Sequence, residues 1–102
     1  MIHVIATIQV APGRRQDFLR EFHAIVPAVR AELGCQEYVP TIDVPTGAAA
    51  QIPTRDDVVT VIEKWTTREH LEKHLVAPHM IKYREKVKDL VLGVQLQILS
   101  PA

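Results

Sequence analysis

The first ten residues alternate: Ile2, Val4, Ala6, Ile8 and Val10 fall on one side, and His3, Ile5, Thr7 and Gln9 on the other. That period of two is the signature of a half-buried strand. Ala11-Pro12-Gly13 closes the strand with turn residues. From 14 to 33 the period lengthens to that of a helix, with Phe18, Phe22, Ile25, Val26, Val29 and Leu33 on one stripe. Pro27 lacks an N–H and should kink that helix or split it in two; Gly34 stands where a C′ glycine would stop it. Cys35 to Asp43 is a second strand, marked by Pro40 as an edge or a bulged one. Residues 44–56 carry no pattern and exceed the roughly 2–5 residues of a hairpin loop, so they read as a lid, an interface arm, a mobile stretch or a tolerated surface insertion.

Val58 to Trp65 is rich in β-branched residues and forms the third strand, spanning 57–65. Thr66-Thr67-Arg68-Glu69 then has capping-box spacing, which places Thr66 at the N-cap of a helix. Pro78 suits the first turn of a further helical piece, where its missing N–H has no partner to lose. The buried side of these pieces should use Leu71, Leu75, Met80, Tyr83, Val87 and Leu90 or Val91. A last strand, Leu92 to Leu99, alternates Leu92, Val94, Leu96 and Ile98 against Gly93, Gln95 and Gln97. The order βαββαβ specifies an α+β, ferredoxin-like fold: a four-stranded antiparallel sheet with helices on one face, in a single domain over residues 1–102. The strands are apolar on both sides, however: Val58 and Ile62 oppose Val59, Val61 and Trp65, and Ile5 adds to the second face. A bare apolar sheet face on a monomer is a sticky patch. Stacking a second copy sheet on sheet would cover it, which predicts an obligate homodimer.

Composition narrows the function. Twelve Lys and Arg balance twelve Asp and Glu in 102 residues, which argues against a nucleic-acid partner that must be neutralised phosphate by phosphate. No apolar run has membrane-spanning length, so no membrane insertion is expected. The first residues lack the basic-then-apolar order of a secretory signal. Cys35 is alone, so no disulfide can form within the chain, and a cytoplasmic location is expected.

The chemistry concentrates between Glu63 and Tyr83, with the one tryptophan, Trp65, and three histidines, His70, His74 and His79. A strand carrying Glu63 and Trp65 on one face runs straight into the helices carrying the histidines, a corner that can place polar groups at the mouth of an apolar space. His70 and His74 have the i,i+4 spacing of metal ligands on a helix, and His79 could join them, but no fuller motif accompanies them, so no metal is assigned. Each residue also has a plainer reading: Trp65, Tyr38 and Tyr83 as core aromatics, Glu63 as half of an ion pair, His3 and His23 as exposed bystanders.

Glu32-Leu-Gly-Cys35, Tyr38-Val-Pro40, Glu63-Lys-Trp65, His70-Leu71 and His74-Leu-Val-Ala-Pro78-His79-Met80 resemble the antibiotic-biosynthesis monooxygenase family. Within it they are most similar to the bacterial quinol monooxygenases. The resemblance implies a dimeric α+β barrel with one apolar pocket per subunit, and oxidation of a quinol or similar aromatic by O2 with no cofactor. The family's haem-degrading members use an Asn–Trp–His set; the chain has no asparagine at all, so that branch is disfavoured. An isomerase, or a small-molecule binder on the same scaffold, is the alternative, since one fold hosts many activities.

The oxidative reading assigns His74 or His79 as base, Glu63 as the orienter of a histidine, and Trp65, Tyr38 and Tyr83 as substrate-binding groups. Triplet O2 reacts poorly with closed-shell molecules, so the quinol must supply an electron, and it does so well only as its anion. Moving a proton from a phenol of pKa about 10 to an imidazole near 6.5 is uphill by about 5 kcal/mol unless the pocket stabilises the anion.

Overall fold

The computed structural model describes residues 1–102. Seven elements follow one another: β1 (Ile2–Val10), α1 (Arg15–Arg30), β2 (Cys35–Thr41), β3 (Val58–Trp65), α2 (Arg68–Leu75), α3 (Pro78–Val87) and β4 (Val91–Leu99). The strands form one antiparallel sheet in the order β2-β3-β1-β4. This is the expected ferredoxin-like arrangement, with the second helix broken into two short pieces.

Register decides which side chains meet the helices. Val4 lies opposite Glu63 on one side and Ile98 on the other, and Ala6 opposite Val61 and Leu96. Val4, Ala6, Ile8, Val59, Val61, Glu63 and Trp65 therefore share a face, joined through the Tyr38–Glu63 pairing by Tyr38. Phe18, Phe22, Val26 and Val29 of α1 are buried against it. Each fully buried side chain of this kind contributes about 1.5–3 kcal/mol from loss of apolar surface to water.

Helix α1 runs unbroken through Pro27. Pro27 and His23, whose carbonyl loses its helical partner to the proline ring, are both on the exposed side, where water can serve that carbonyl. The helix stops at Arg30, short of the expected residue 33, and Leu33 is 79% exposed, outside the buried stripe. Gly34 serves the turn into β2: its φ is +85°, and a Cβ there would come within 2.3 Å of the His70 ring. β2 ends at Thr41 and occupies the sheet edge, where Pro40 leaves no sheet bond unmade. Helix α2 is capped by Thr67, whose hydroxyl accepts from the His70 N–H at 3.2 Å. Thr66, the expected cap, is instead bonded back to Gly34, its N–H donating to the Gly34 carbonyl at 2.9 Å. Pro78 opens α3 as expected.

The long connection between β2 and β3 is clasped at its neck. The backbone N–H and the Nε of Arg55 donate to one Asp43 oxygen at 2.9 and 2.8 Å, and Nη2 to the other at 3.0 Å. On the bare side of the sheet Ile5, Val39 and Ile62 are half-buried among Thr7, Thr41 and Thr60, a more mixed face than the sequence suggested. The larger apolar exposure is on β4. Val94, Leu96 and Ile98 pair with inward-facing residues of β1 yet remain 55%, 44% and 51% exposed, because β4 is the edge strand the helices leave open.

Candidate active site

A cavity of about 380 Å³ lies between the sheet and α3, within the size range of small-molecule sites. Phe22, Tyr38, Met80 and Tyr83 supply its apolar walls, and Val94 and Leu96 of β4 the open side. Tyr38 stacks on Phe22 with ring centroids 5.3 Å apart and planes inclined by 16°, while Tyr83 meets Phe22 edge-on at 5.8 Å. Each ring thereby locks the next. Burial pushes both phenols up, far from ionisation, so Tyr38 and Tyr83 face the cavity as neutral donors. Arg30 secures the strand beneath: its Nε and Nη2 donate to the Tyr38 carbonyl at 3.2 and 3.1 Å.

Besides the two phenols and the cations Arg84 and Lys88, a carboxyl and an imidazole reach the cavity, Glu63 and His74. Glu63 sits on β3 with its side chain turned into the core, and burial raises its carboxyl to about 7, against a hydrogen bond from Trp65 that pulls the other way. That bond runs from the indole Nε1 to Glu63 Oε1 at 3.0 Å. His74 lies on the last turn of α2, 1% exposed, its ring 4.6 Å from the Trp65 ring and tilted by 32°. Its Nε2 is 3.9 Å from Glu63 Oε1, beyond hydrogen-bond reach.

The partner that orients the histidine is Glu32. A single oxygen, Oε2, accepts from His74 Nδ1 at 2.9 Å and from His79 Nε2 at 2.8 Å. A carboxylate can only accept, so His74 carries its proton on Nδ1 and presents Nε2 bare toward Glu63 and the cavity. Burial lowers the His74 pKa and Glu32 partly restores it, which keeps the ring neutral and the lone pair available.

The expected residues are thus brought together unequally. His74, Glu63, Tyr38 and Tyr83 line the cavity. Trp65 is fully buried behind His74 and Glu63, a support rather than a wall against which a ligand stacks. His79 lies outside the cavity on the far side of Glu32. His70 turns away to Thr67, Nδ1 to Oγ1 at 3.0 Å, so the i,i+4 pair does not converge. Glu32 is the residue that reading for chemistry overlooked. Its one local signal is an acid just past a helix C-terminus, where the helix dipole disfavours negative charge. Cys35 is half-buried, and burial together with Glu32 and Glu63 raises its thiol, which suits no nucleophile.

Residues 1–86 match the family described as Antibiotic biosynthesis monooxygenase. The chain is 44% identical over 103 aligned residues to the Escherichia coli (strain K12) protein named Probable quinol monooxygenase YgiN, covering 99% of this chain and 98% of that one. Among solved structures it superposes on PA3566 from Pseudomonas aeruginosa with a TM-score of 0.81 at 28% identity, covering 99% of this chain and 93% of that one. Rv0793 from Mycobacterium tuberculosis gives 0.78 at 25% identity, with 99% and 94% covered. The four-stranded sheet, the cavity beneath its helices and the match over most of its length lead to one assignment: the chain belongs to the antibiotic biosynthesis monooxygenase family.

Proposed function

We propose that the protein is a cofactor-independent monooxygenase that oxidises a quinol or similar aromatic hydroquinone with O2 in the cavity between the sheet and α3. The observation that carries this reading is the bare Nε2 of His74, fixed toward an apolar cavity by Glu32. The family and the name carried by the E. coli relative agree with it.

The chain's tasks follow from the chemistry of O2. His74 Nε2 takes a hydroxyl proton from the quinol, and the imidazolium that forms is stabilised by Glu32 at Nδ1. Glu63, its carboxyl raised to about 7 by burial, is matched to accept the second proton near neutrality. The neutral phenols of Tyr38 and Tyr83 donate to the growing anionic oxygen. Electron transfer from the anion to O2 followed by C–O bond formation and loss of water gives a hydroxyquinone: quinol plus O2 yields hydroxyquinone plus H2O.

Two copies complete the fold in this reading. A homodimer stacked sheet on sheet covers Ile5, Val39 and Ile62 on the bare face, and the partner's edge reaching round β4 to its open row on the helix side would keep water out of the cavity. The free thiol of Cys35 is compatible with a reducing, cytoplasmic setting.

Oxygen-electrode assays with menadiol and related hydroquinones, in buffer treated with a chelator, test the proposal. Wild type consumes O2, and His74→Ala lowers the rate at least about 100-fold; equal rates in a folded variant would defeat it. A second reading is favoured by Arg84 on α3 and Lys88 just past its end, which flank the cavity: an isomerase, or a binder, of an anionic small molecule. It predicts ligand binding with no O2 uptake from any hydroquinone.

A further inference from the structure

Glu32, His74 and His79 have a second side. Glu32 Oε2 and one nitrogen from each histidine lie within 4.8 Å of one another. They converge from three separate places, the turn after α1, the end of α2 and the start of α3. Neither Glu32 nor His79 lines the cavity, so this cluster occupies the side of His74 turned away from the substrate. It is also reachable: the side chains of His79 and Glu32 are 29% and 14% exposed, while that of His74 is 2% exposed.

We propose that these three residues bind a borderline divalent ion such as Zn2+, and that the bound ion silences His74 as a base. Two imidazoles and one carboxylate are the donor set of a three-ligand Zn2+ site with water in the fourth position. Bonds of 2.0–2.1 Å in a tetrahedral array set donors about 3.3 Å apart. The present contacts of 2.9 and 2.8 Å to Glu32 Oε2 need to open by about half an ångström, and the two histidine nitrogens, within 4.8 Å of each other, need to close toward that spacing, both by side-chain rotation at a part-exposed site. An ion takes the place of the two hydrogen-bonded protons that now join the histidines to the carboxylate.

The consequence for the cavity is a proton relocation. With Nδ1 on the ion, neutral His74 must carry its proton on Nε2, the nitrogen that faces Glu63 and the cavity. Glu63 Oε1, 3.9 Å away and braced by the Trp65 indole, is then the acceptor for that N–H, an outer-shell partner of the kind that metal-bound histidines keep. The lone pair needed to take a quinol proton is gone. This second half of the proposal rests on His74 being the base; the binding half does not.

Isothermal titration of untagged, chelator-stripped protein with ZnCl2 tests the binding half without any quinol. One ion per chain with a micromolar or tighter Kd is expected, weakened at least about tenfold in both His79→Ala and Glu32→Gln. Co2+ in place of Zn2+ should give the intense visible bands of a four-coordinate N/O site in wild type and lose them in His79→Ala. Absence of binding to wild type, or equal binding by a folded His79→Ala variant, overturns the site. Stoichiometric Zn2+ should then suppress O2 uptake with menadiol, with release on adding chelator. Full uptake by the Zn2+-loaded protein overturns the silencing. If wild type consumes no O2 at all, the oxidase reading and the silencing that rests on it both fall, while calorimetry and the Co2+ spectrum still decide the binding site.

Discussion

The cavity has two unlike ends. Its inner end is the buried pair His74 and Glu63 with Trp65 behind them, and His74 is held from outside the cavity by the part-exposed Glu32 and His79, so that four parts of the chain contribute. Its outer end is one edge strand, β4, whose apolar side chains are half in water. The inner end is determined by mutual restraint: each group has its orientation set by another, and the aromatic ring of Trp65 backs His74 and holds Glu63. The outer end has nothing behind it within a single chain. A catalytic base needs the first kind of surrounding; a wall finished by another molecule needs only the second.

The largest effect should come from removing the support of the inner end. Trp65→Ala deletes a fully buried ring and should cost about 3–5 kcal/mol of stability, read as a lower urea midpoint. It also leaves Glu63 without its indole donor. A loss below about 1 kcal/mol would mean that the corner is held by its polar contacts alone.

Next is a change that should stabilise. Burial holds the Glu63 carboxyl at about 7, above its ordinary 4.5. The folded chain therefore keeps a proton that the unfolded chain releases. Below about 4.5 both states are protonated and there is no penalty; the penalty grows as pH rises toward 7 and is constant above it. Glu63→Gln keeps an oxygen for the indole N–H and removes the ionisation. At pH 8 it should add stability on the order of 3 kcal/mol, and at pH 4 none. Equal gains in urea titrations at both pH values would show that packing, and not charge, is responsible. The same variant should slow hydroquinone oxidation, so the site gives up stability for a usable proton acceptor.

How much of this contrast is legible in the chain differs between its two ends. β4 and β1 declare themselves by alternation, a local signal that survives with no knowledge of neighbours and that fixes which side chains share a face. His74, Glu63, Tyr38 and Tyr83 could be singled out as reactive types near a strand-to-helix corner. Glu32 could not be assigned a role that way, because its partners His74 and His79 stand 42 and 47 residues further on. That Trp65, expected among the substrate-binding groups, does not line the cavity has a related reason. Strand alternation places it on the same face as Glu63 but does not say that His74 lies between the indole and the cavity. The helix cap shifted from Thr66 to Thr67 because the Thr66 amide is claimed by Gly34, a contact across 32 residues. Local pattern gives elements and faces; it does not give which polar group finds which.

Glu32→Gln sharpens the comparison at a smaller scale. Gln keeps the shape, and its amide oxygen can still accept from His74 or His79, but the negative charge that favours the imidazolium is lost. The expected result is a 10- to 100-fold fall in kcat, about 1.4–2.7 kcal/mol, with KM little changed and the basic group in the kcat/KM pH profile shifted to lower pH. An unchanged pH profile would reduce Glu32 to a structural contact.

The smallest effect on the single chain should come from the outer end, where it is most informative. Ile98 lies on the open row of β4, 51% exposed, and does not line the cavity. Ile98→Gln keeps a side chain of similar length, so within one chain it should change stability by less than about 0.5 kcal/mol. If a second copy covers this row, the same change places an amide in a dry interface without a partner, at about 1–3 kcal/mol per site. A two-fold contact counts it twice. Sedimentation at several protein concentrations separates these cases. A shift toward monomer, with the urea midpoint of the monomer unmoved, shows that the edge strand is finished by association. Wild type and variant sedimenting alike at every concentration would mean that β4 is a surface the fold leaves open, and the dimer would have to rest on the bare face around Ile62 alone.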